Sequence, residues 1–261
     1  MIRIVKIGGR AQQSPALIPA LAAAWRAAPG GVVVVHGGGD EVTALQRAMG
    51  REPQFVGGRR VTTEDDIAIL RMTLSGVVNK RLVAALVAEG IPAVGVSGED
   101  AALLSAEPID PATMGRAGAP AHANVHLLRH LLQGGFLPVV SPLARDAHSD
   151  VGDALNVNGD DAAAALAVAL NATELMLIAD VPGVLDAGVV VATLDAKRVR
   201  ALVAAGTVTA GMIAKLEASH RALAAGVSRV RIGDLTAIAD ASQGTRIVGS
   251  GASHAFTPVL A

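Results

Sequence analysis

The chain has 261 residues, 51% of them apolar and only 2% aromatic, so its core has to be built from Ala, Val, Leu and Ile. A formal charge of −1 offers no basic field for nucleic acid, and the absence of cysteine excludes disulfides and thiolate metal sites. Apolar stretches such as Ala162–Leu170 are too short to span a bilayer, and Met1–Gly8 reads as a strand and turn rather than a signal peptide. The expectation is a cytoplasmic protein with no nucleic-acid and no membrane partner.

Ile2–Ile7 is a β-branched run that ends in Gly8-Gly9. Ser14 followed by Pro15 marks a helix start, and Ala16–Ala28 reads as that helix. Four consecutive valines in Gly31–Val35 predict a strand buried on both faces. It closes on His36-Gly37-Gly38-Gly39, and Asp40–Met49 reads as a helix. Gln54–Val61, with two glycines, is a hairpin or loop. Thr63 and Asp66 have the spacing of a capping box, which opens a long helix to about Glu89. Pro92–Val96 is the next strand, Val125–Leu132 a helix closed by Gly134-Gly135, and Leu137–Val140 a strand. The Ala- and Gly-rich stretch Glu107–Ala123 is expected to be a surface excursion, and Ser141–Asp153 a polar connection.

A second half opens near Asn156. A helix over Asp160–Leu170 precedes a strand at Leu175–Ala179, then Val181-Pro182-Gly183 turns into a hairpin around Asp186–Val191. Helices at about Ala196–Ala205 and Gly211–Gly226 and strands at Arg229–Ile232 and Thr245–Val248 complete the pattern. Strands separated by helices predict an α/β protein, a three-layer α/β/α sandwich on a mostly parallel central sheet. Two lobes, 1–170 and 171–261, are expected to share that one sheet.

Ligands of such sheets bind beyond the carboxyl ends of the strands, where Gly8-Gly9 and Gly37-Gly38-Gly39 fall. Glycine lets backbone N–H groups approach an anion, and a following helix N-terminus adds positive potential. Taken singly, either turn is equally a tight strand-to-helix connection. Lysine usage narrows the choice: the chain has four lysines, and Lys6 and Lys215 both lie near glycines. A compact ammonium suits a transferring phosphoryl group, the plain alternative being a surface lysine. Asn156-Val157-Asn158-Gly159-Asp160-Asp161 precedes an Ala-rich helix and is either an N-cap or a site. In the second reading Asn156 binds a polar ligand and Asp160 orients the two lysines and keeps both charged.

The ordered set of Lys6-x-Gly8-Gly9, Val35-His36-Gly37-Gly38-Gly39, Gly58-Arg59-Arg60-Val61-Thr62, Asn79-Lys80, Asn156-Val157-Asn158-x-Asp160, Asp180-Val181-Pro182-Gly183-Val184 and Gly211-Met212-x-x-Lys215 resembles the motif series of acetylglutamate kinases, within the amino acid kinase family. Gly244-Thr245-Arg246-Ile247 is similar to that family's closing strand. The resemblance spans essentially the whole chain and is weakest over Glu107–Ala123.

The resemblance implies phosphorylation of the side-chain carboxylate of N-acetyl-L-glutamate by ATP, the second step of arginine biosynthesis. It makes Lys6 and Lys215 the phosphoryl stabilisers and Asp160 their organiser. Gly38 and Gly39 offer backbone N–H groups at the acceptor end, with Gly8 and Gly9 lining the same passage. Arg60 clamps the α-carboxylate and Asn156 meets the acetamido region. Nucleotide contacts fall on Asp180, Val181, Pro182, Gly183, Val184, Leu185 and Asp186, and on Thr209, Ala210 and Gly211. Mg2+ is carried by the ATP phosphates and water rather than by a protein metal site. The first lobe takes the amino acid and the dimer contact, the second the nucleotide, in a homodimer. Two positions depart from the pattern. Arg10 follows Gly8-Gly9 where the family more often has a small or neutral residue, and it either touches phosphates or points to solvent. Arg59 makes the carboxylate clamp ambiguous by one position, although the spacing matches Arg60 and alternation sends Arg59 to the other face.

Other signals point elsewhere. His122, His126 and His130 recur every four residues, a pattern better read as a solvated face than as a metal stripe. His36 reads as structural rather than as an acid or base. Gly37-x-Gly39-x-x-Val42 lacks the third glycine of a dinucleotide fingerprint, which disfavours an NAD-dependent dehydrogenase. Lys6, Asp160 and Lys215 together disfavour a silent nucleotide sensor. Among kinases, a carrier-linked aminoadipate or glutamate is the rival substrate, disfavoured by the lack of a basic insertion, and an aspartokinase is disfavoured by the lack of a regulatory domain. The helix Thr63–Glu89 serves either a dimer contact or the core. Arginine-inhibited relatives carry an extra N-terminal helix, and with a strand from Ile2 the expectation here is a dimer insensitive to arginine.

Overall fold

A run of four valines fits only where both faces of a strand are covered, and Val32–His36 is buried throughout. It lies inside an eight-stranded sheet of the computed structural model, which describes residues 1–249. Across that sheet the order is Thr193–Leu194, Thr245–Ile247, Arg229–Gly233, Glu174–Ile178, Arg3–Ile7, Val32–His36, Leu137–Ser141, Ala93–Ser97. Neighbours run parallel except Arg229–Gly233 with Thr245–Ile247. Residues before 170 supply the half from Arg3–Ile7 onward, and later residues supply the other half. The chain therefore reverses direction across the sheet between Arg3–Ile7 and Glu174–Ile178, which opens a crevice beyond their carboxyl ends. The eight strands form one continuous sheet.

Helices cover both faces. Gly159–Ala169 and Ala210–Ala224 pack on each other and on strands at the middle of the sheet. Leu17–Ala27 and Asn79–Ala88 form a pair on the opposite side. The first of these begins at Leu17, two residues after Pro15, because Gly9–Gln13 forms a 3-10 turn that uses up the connection. Thr63 and Asp66 do form the capping box, with Thr63 N–H donating to Asp66 Oδ2 at 2.8 Å and Asp66 N–H to Thr63 Oγ1 at 3.3 Å. The helix they open continues to Ala88, but Arg71–Val78 is wound as π-helix between two α segments. Such turns often mark functional sites, and here this one presses Leu74 and Val78 onto the Gly38 turn. No helix among the described residues is long and apolar enough to cross a membrane.

Glu107–Ala123 is largely exposed, as expected of a surface excursion, but it also carries strands, and Ser141–Asp153 is more than a polar connection. Leu104–Pro108, Ala117–Ala123, Leu143–Asp146 and Ala154–Val157 close into a small four-stranded barrel. Its interior is narrow: a Cβ on Gly118 would stand 2.8 Å from Leu155 Cβ and 3.1 Å from Ala106 Cβ. Ala and Gly are demanded by that close approach, and their low strand propensity conceals the strands in the sequence.

Candidate active site

Arg3–Ile7 and Val32–His36 pair in parallel with Ile7 opposite His36, so both glycine turns leave the sheet side by side. Gly8 has φ −131° and ψ 164°, a conformation open to any residue. What excludes a side chain is space: a Cβ there would lie 2.6 Å from Lys6 Nζ and 3.6 Å from Lys215 Nζ. Gly38 has φ +154°, and a Cβ on it would meet Leu74 Cδ2 at 2.7 Å. The second turn is also held from below. Buried His36 donates from Nδ1 to Gly37 O at 2.7 Å, and its Nε2 accepts from Asn79 Nδ2 at 3.1 Å. Burial pushes this imidazole down to about 4, so it is neutral near pH 7 and braces the turn through these two contacts.

Asp160 stands in the first turn of Gly159–Ala169, a helix capped by Asn158, whose Oδ1 accepts from Asp160 N–H at 2.8 Å. Lys6 Nζ lies 2.8 Å from Asp160 Oδ1, and Lys215 Nζ lies 3.0 Å from Oδ2. Burial works against the Asp160 carboxylate, but Lys6 and Lys215 outweigh it and hold the group at about 2. Burial, with Lys215 alongside, pulls Lys6 down to about 8 in spite of Asp160. Two ammonium groups thus share one carboxylate, leaving an excess positive charge in a largely dry place.

Two clefts meet at this point. The first, of about 210 Å³, takes in Lys6, the turns Gly8-Gly9 and Gly37–Gly39, and Asn156. Arg60 forms part of its wall, from a short hairpin of Phe55–Val56 and Arg59–Arg60. Its guanidinium donates to Gly39 O at 3.0 Å, to Thr43 Oγ1 at 2.8 Å and to Gln46 Oε1, and lies 4.7 Å over the Phe55 ring. Although buried, it forms no ion pair with a carboxylate among the described residues. Arg59 lines the same cleft, but its guanidinium is paired with Asp161, whereas Arg60 has no such ion pair among the described residues. Asn156, in Ala154–Val157, donates to Thr62 Oγ1 at 2.9 Å. Gly39–Ala48 starts at this cleft with no side-chain cap, leaving its first N–H groups for a ligand.

The second cleft, of about 480 Å³, shares Gly8 and Gly9 with the first and adds Lys215. Asp180, Val181, Gly183, Val184 and Leu185 form one wall, and Thr209 and Gly211 another. The remaining expected positions fall outside it: Pro182 and Ala210 do not line the cleft, and Asp186 is paired with Arg198. Thr209 also caps Ala210–Ala224, accepting from Met212 N–H at 3.4 Å. Thr245 of the closing strand accepts from Val184 N–H at 2.8 Å and so holds the wall in place. Arg10 is largely solvent-exposed at the cleft mouth, 3.3 Å from Asp180.

Sequence reasoning missed Leu70, Leu74, Ala117 and Gly118 in the first cleft and Val208 and Met212 in the second. Leu70 and Leu74 lie on the Thr63–Glu89 helix, whose apolar side suited a dimer contact or the core equally; for Ala117 and Gly118 no signal was available while the barrel was hidden. His122, His126 and His130 are exposed, with His122 on a strand rather than on the helix. Among the described residues no three metal-ligating side chains cluster. The assembled site offers backbone donors, a buried guanidinium and two ammonium groups around one junction, a set suited to holding anions close together and stabilising charge that passes between them.

The model of the amino acid kinase family matches residues 1–234. An acetylglutamate kinase of Geobacillus kaustophilus is 44% identical over 201 residues, 77% of each chain. One from Chloroflexus aurantiacus is 40% identical over 247 residues, 94% of this chain and 96% of its own. Among solved structures, smu.665 from Streptococcus mutans superposes with a TM-score of 0.84 at 32% identity, over 95% of this chain and 98% of the other.

Proposed function

The chain belongs to the amino acid kinase family, and on that premise we propose that it transfers the γ-phosphoryl of ATP to the side-chain carboxylate of N-acetyl-L-glutamate, the acyl-phosphate step of arginine biosynthesis. Relatives that share 40–44% of its residues carry that name. The observation that carries the reading is the Lys6–Asp160–Lys215 bridge at the junction of two clefts, one of which holds a buried arginine that makes no ion pair with a carboxylate among the described residues.

In this reading the acid fills the first cleft and the nucleotide the second. Arg60 presents a planar fork to the α-carboxylate and Asn156 faces the acetamido region. The acceptor carboxylate is already anionic at neutral pH and needs no general base. One of its oxygens bonds to the γ-phosphorus as the bond from that phosphorus to the β–γ bridging oxygen breaks, and ADP leaves with the electron pair. Lys6 meets the transferring group from the acceptor side and Lys215 from the nucleotide side, while Gly38, Gly39, Gly8 and Gly9 provide backbone N–H groups. Asp160 fixes the separation of the two ammonium groups. Catalysis of this kind is positioning and charge neutralisation. Magnesium enters with the nucleotide as MgATP and neutralises the phosphate oxygens.

The same reading gives 1–170 the acid site and a dimer contact and 171–261 the nucleotide. A homodimer is supported by Met72, Val77 and Val87, which stay exposed on the helical stretch beside the edge strand Ala93–Ser97. A cytoplasmic location suits a step on a free metabolite. Protein incubated with MgATP, N-acetylglutamate and hydroxylamine is expected to yield the hydroxamate of N-acetylglutamate. Product from another acid, with none from N-acetylglutamate, would retain the kinase and remove the substrate.

A further inference from the structure

Helix Gly159–Ala169 opens with two aspartates, and only the first belongs to the phosphoryl-transfer centre. Asp161 is as buried as Asp160, each 4% exposed, but it takes a different pair of cations. Its Oδ2 accepts from Arg59 and its Oδ1 from Arg221. Arg59 belongs to the hairpin that walls the first cleft. Arg221 belongs to Ala210–Ala224, the helix whose Gly211, Met212 and Lys215 wall the second, and Arg221 itself lines neither cleft.

A second contact joins the same two elements. At the hairpin tip Gly58 lies against the start of that helix: a Cβ on it would stand 3.4 Å from Ala210 Cβ and 3.5 Å from Ala210 O. Ala210 and Arg221 are about 16 Å apart along the axis at 1.5 Å per residue. The hairpin is therefore fastened to the helix at two separated points, one packed and one ionic. The ionic link resists opening, because separating either arginine from a buried carboxylate leaves charge uncompensated.

From this geometry we infer that Asp161 couples the two clefts, so that the ligand which seats the hairpin also sets the helix carrying Lys215, and acid and nucleotide bind cooperatively. The inference rests on the acid and nucleotide sites proposed above. Asp161 is a positioning residue that acts through Arg59 and Arg221. Because coupling of binding is reciprocal, each ligand tightens the other by the same factor.

Arg221 is the place to test it, since its loss leaves Asp161 still paired with Arg59 and touches neither cleft. Calorimetric titration would measure the affinity of the β,γ-imido analogue of ATP with Mg2+, alone and at saturating N-acetylglutamate. The wild-type protein is expected to bind the analogue about tenfold more tightly with the acid present. In Arg221→Met that factor is expected to fall to about two, with each ligand's affinity alone changed less than about twofold, and Arg221→Lys to recover most of it. Both ligands binding wild-type protein with no mutual effect would overturn the inference and leave the kinase reading intact, as would an undiminished factor in Arg221→Met. Failure of N-acetylglutamate to bind at all would remove the substrate reading and this inference with it.

Discussion

Lys6 and Lys215 approach one carboxylate from different clefts, 2.8 Å and 3.0 Å from the two oxygens of Asp160. Neither ammonium is stable so close to the other without that carboxylate between them. The bridge therefore bears on stability as well as on the proposed phosphoryl transfer, and its stability contribution depends on pH.

Asp160→Asn removes the shared anion and leaves two buried ammonium groups facing each other. Breaking a buried pair on one side is expected to cost about 3 kcal/mol of stability near pH 7. Turnover is expected to fall at least ~100-fold, the scale for losing a preorganised electrostatic contact. Lys6 titrates at about 8 in the intact bridge, and Asp160 is a group that raises it. In the variant Lys6 gives up its proton at lower pH still, so by pH 9 one of the uncompensated charges is gone. Urea unfolding of both proteins at pH 7 and pH 9 should show the deficit shrinking as pH rises. A deficit that stays constant or grows would mean that repulsion between the lysines is not its source.

Gly8→Ala tests space rather than backbone freedom. The extended backbone accepts alanine, but its methyl would lie 2.6 Å from Lys6 Nζ. The ammonium must move, and displacement of a reacting group by about 1 Å can cost ~100-fold in rate. Steady-state kinetics should show that loss in kcat, with a melting temperature within a few degrees of wild type. An unchanged kcat would place Lys6 away from the transferring group.

Much of this was legible in the sequence, and the exceptions share a cause. The valine run, the capping box at Thr63 and Asp66 and the ordered glycine turns are local signals, and each lies where its pattern put it. The barrel was hidden because its strands are specified by the close approach of Gly118 to Leu155 and Ala106, a non-local demand that appears along the chain only as Ala and Gly. Arg59 and Arg60 show the same limit. Alternation assigned them to opposite faces, but Asp161, the partner that occupies Arg59, lies a hundred residues away and no pattern connected them. Pro182 and Asp186 belong to a motif that shapes the second cleft without every member lining it.

Arg60→Met should separate the ligands. A charge-assisted fork on a carboxylate contributes roughly 2–3 kcal/mol, so KM for N-acetylglutamate is expected to rise about fiftyfold while KM for ATP stays within about twofold. Arg60→Lys should recover little, since an ammonium cannot reproduce the planar fork or its stacking on Phe55. Parallel increases in both KM values would mean that Arg60 holds the fold of the cleft rather than the acid.

His36 ties acid stability to the Gly37–Gly39 turn. Its folded-state value of about 4 lies below the ordinary 6.5, with burial as the largest cause. Between those two values the unfolded chain binds a proton that the folded protein refuses, so acid favours unfolding across this window and the stability present above pH 6.5 is lost toward pH 4. The full difference corresponds to about 3 kcal/mol at 1.36 kcal/mol per unit. In His36→Gln the amide can still donate to Gly37 O and accept from Asn79, so the turn is retained in weakened form and the titrating group is gone. Burial also pushes down His220, with Arg200 assisting, but it titrates in both proteins and cancels from the comparison. Denaturant unfolding at pH 7, 5.5 and 4.5 should therefore show wild-type stability falling more steeply than that of the variant, and the two curves converging as pH drops. Parallel curves would mean that His36 takes up its proton in the folded state near its ordinary value, and that neither its burial nor the Asn79 contact holds the imidazole neutral beneath the turn.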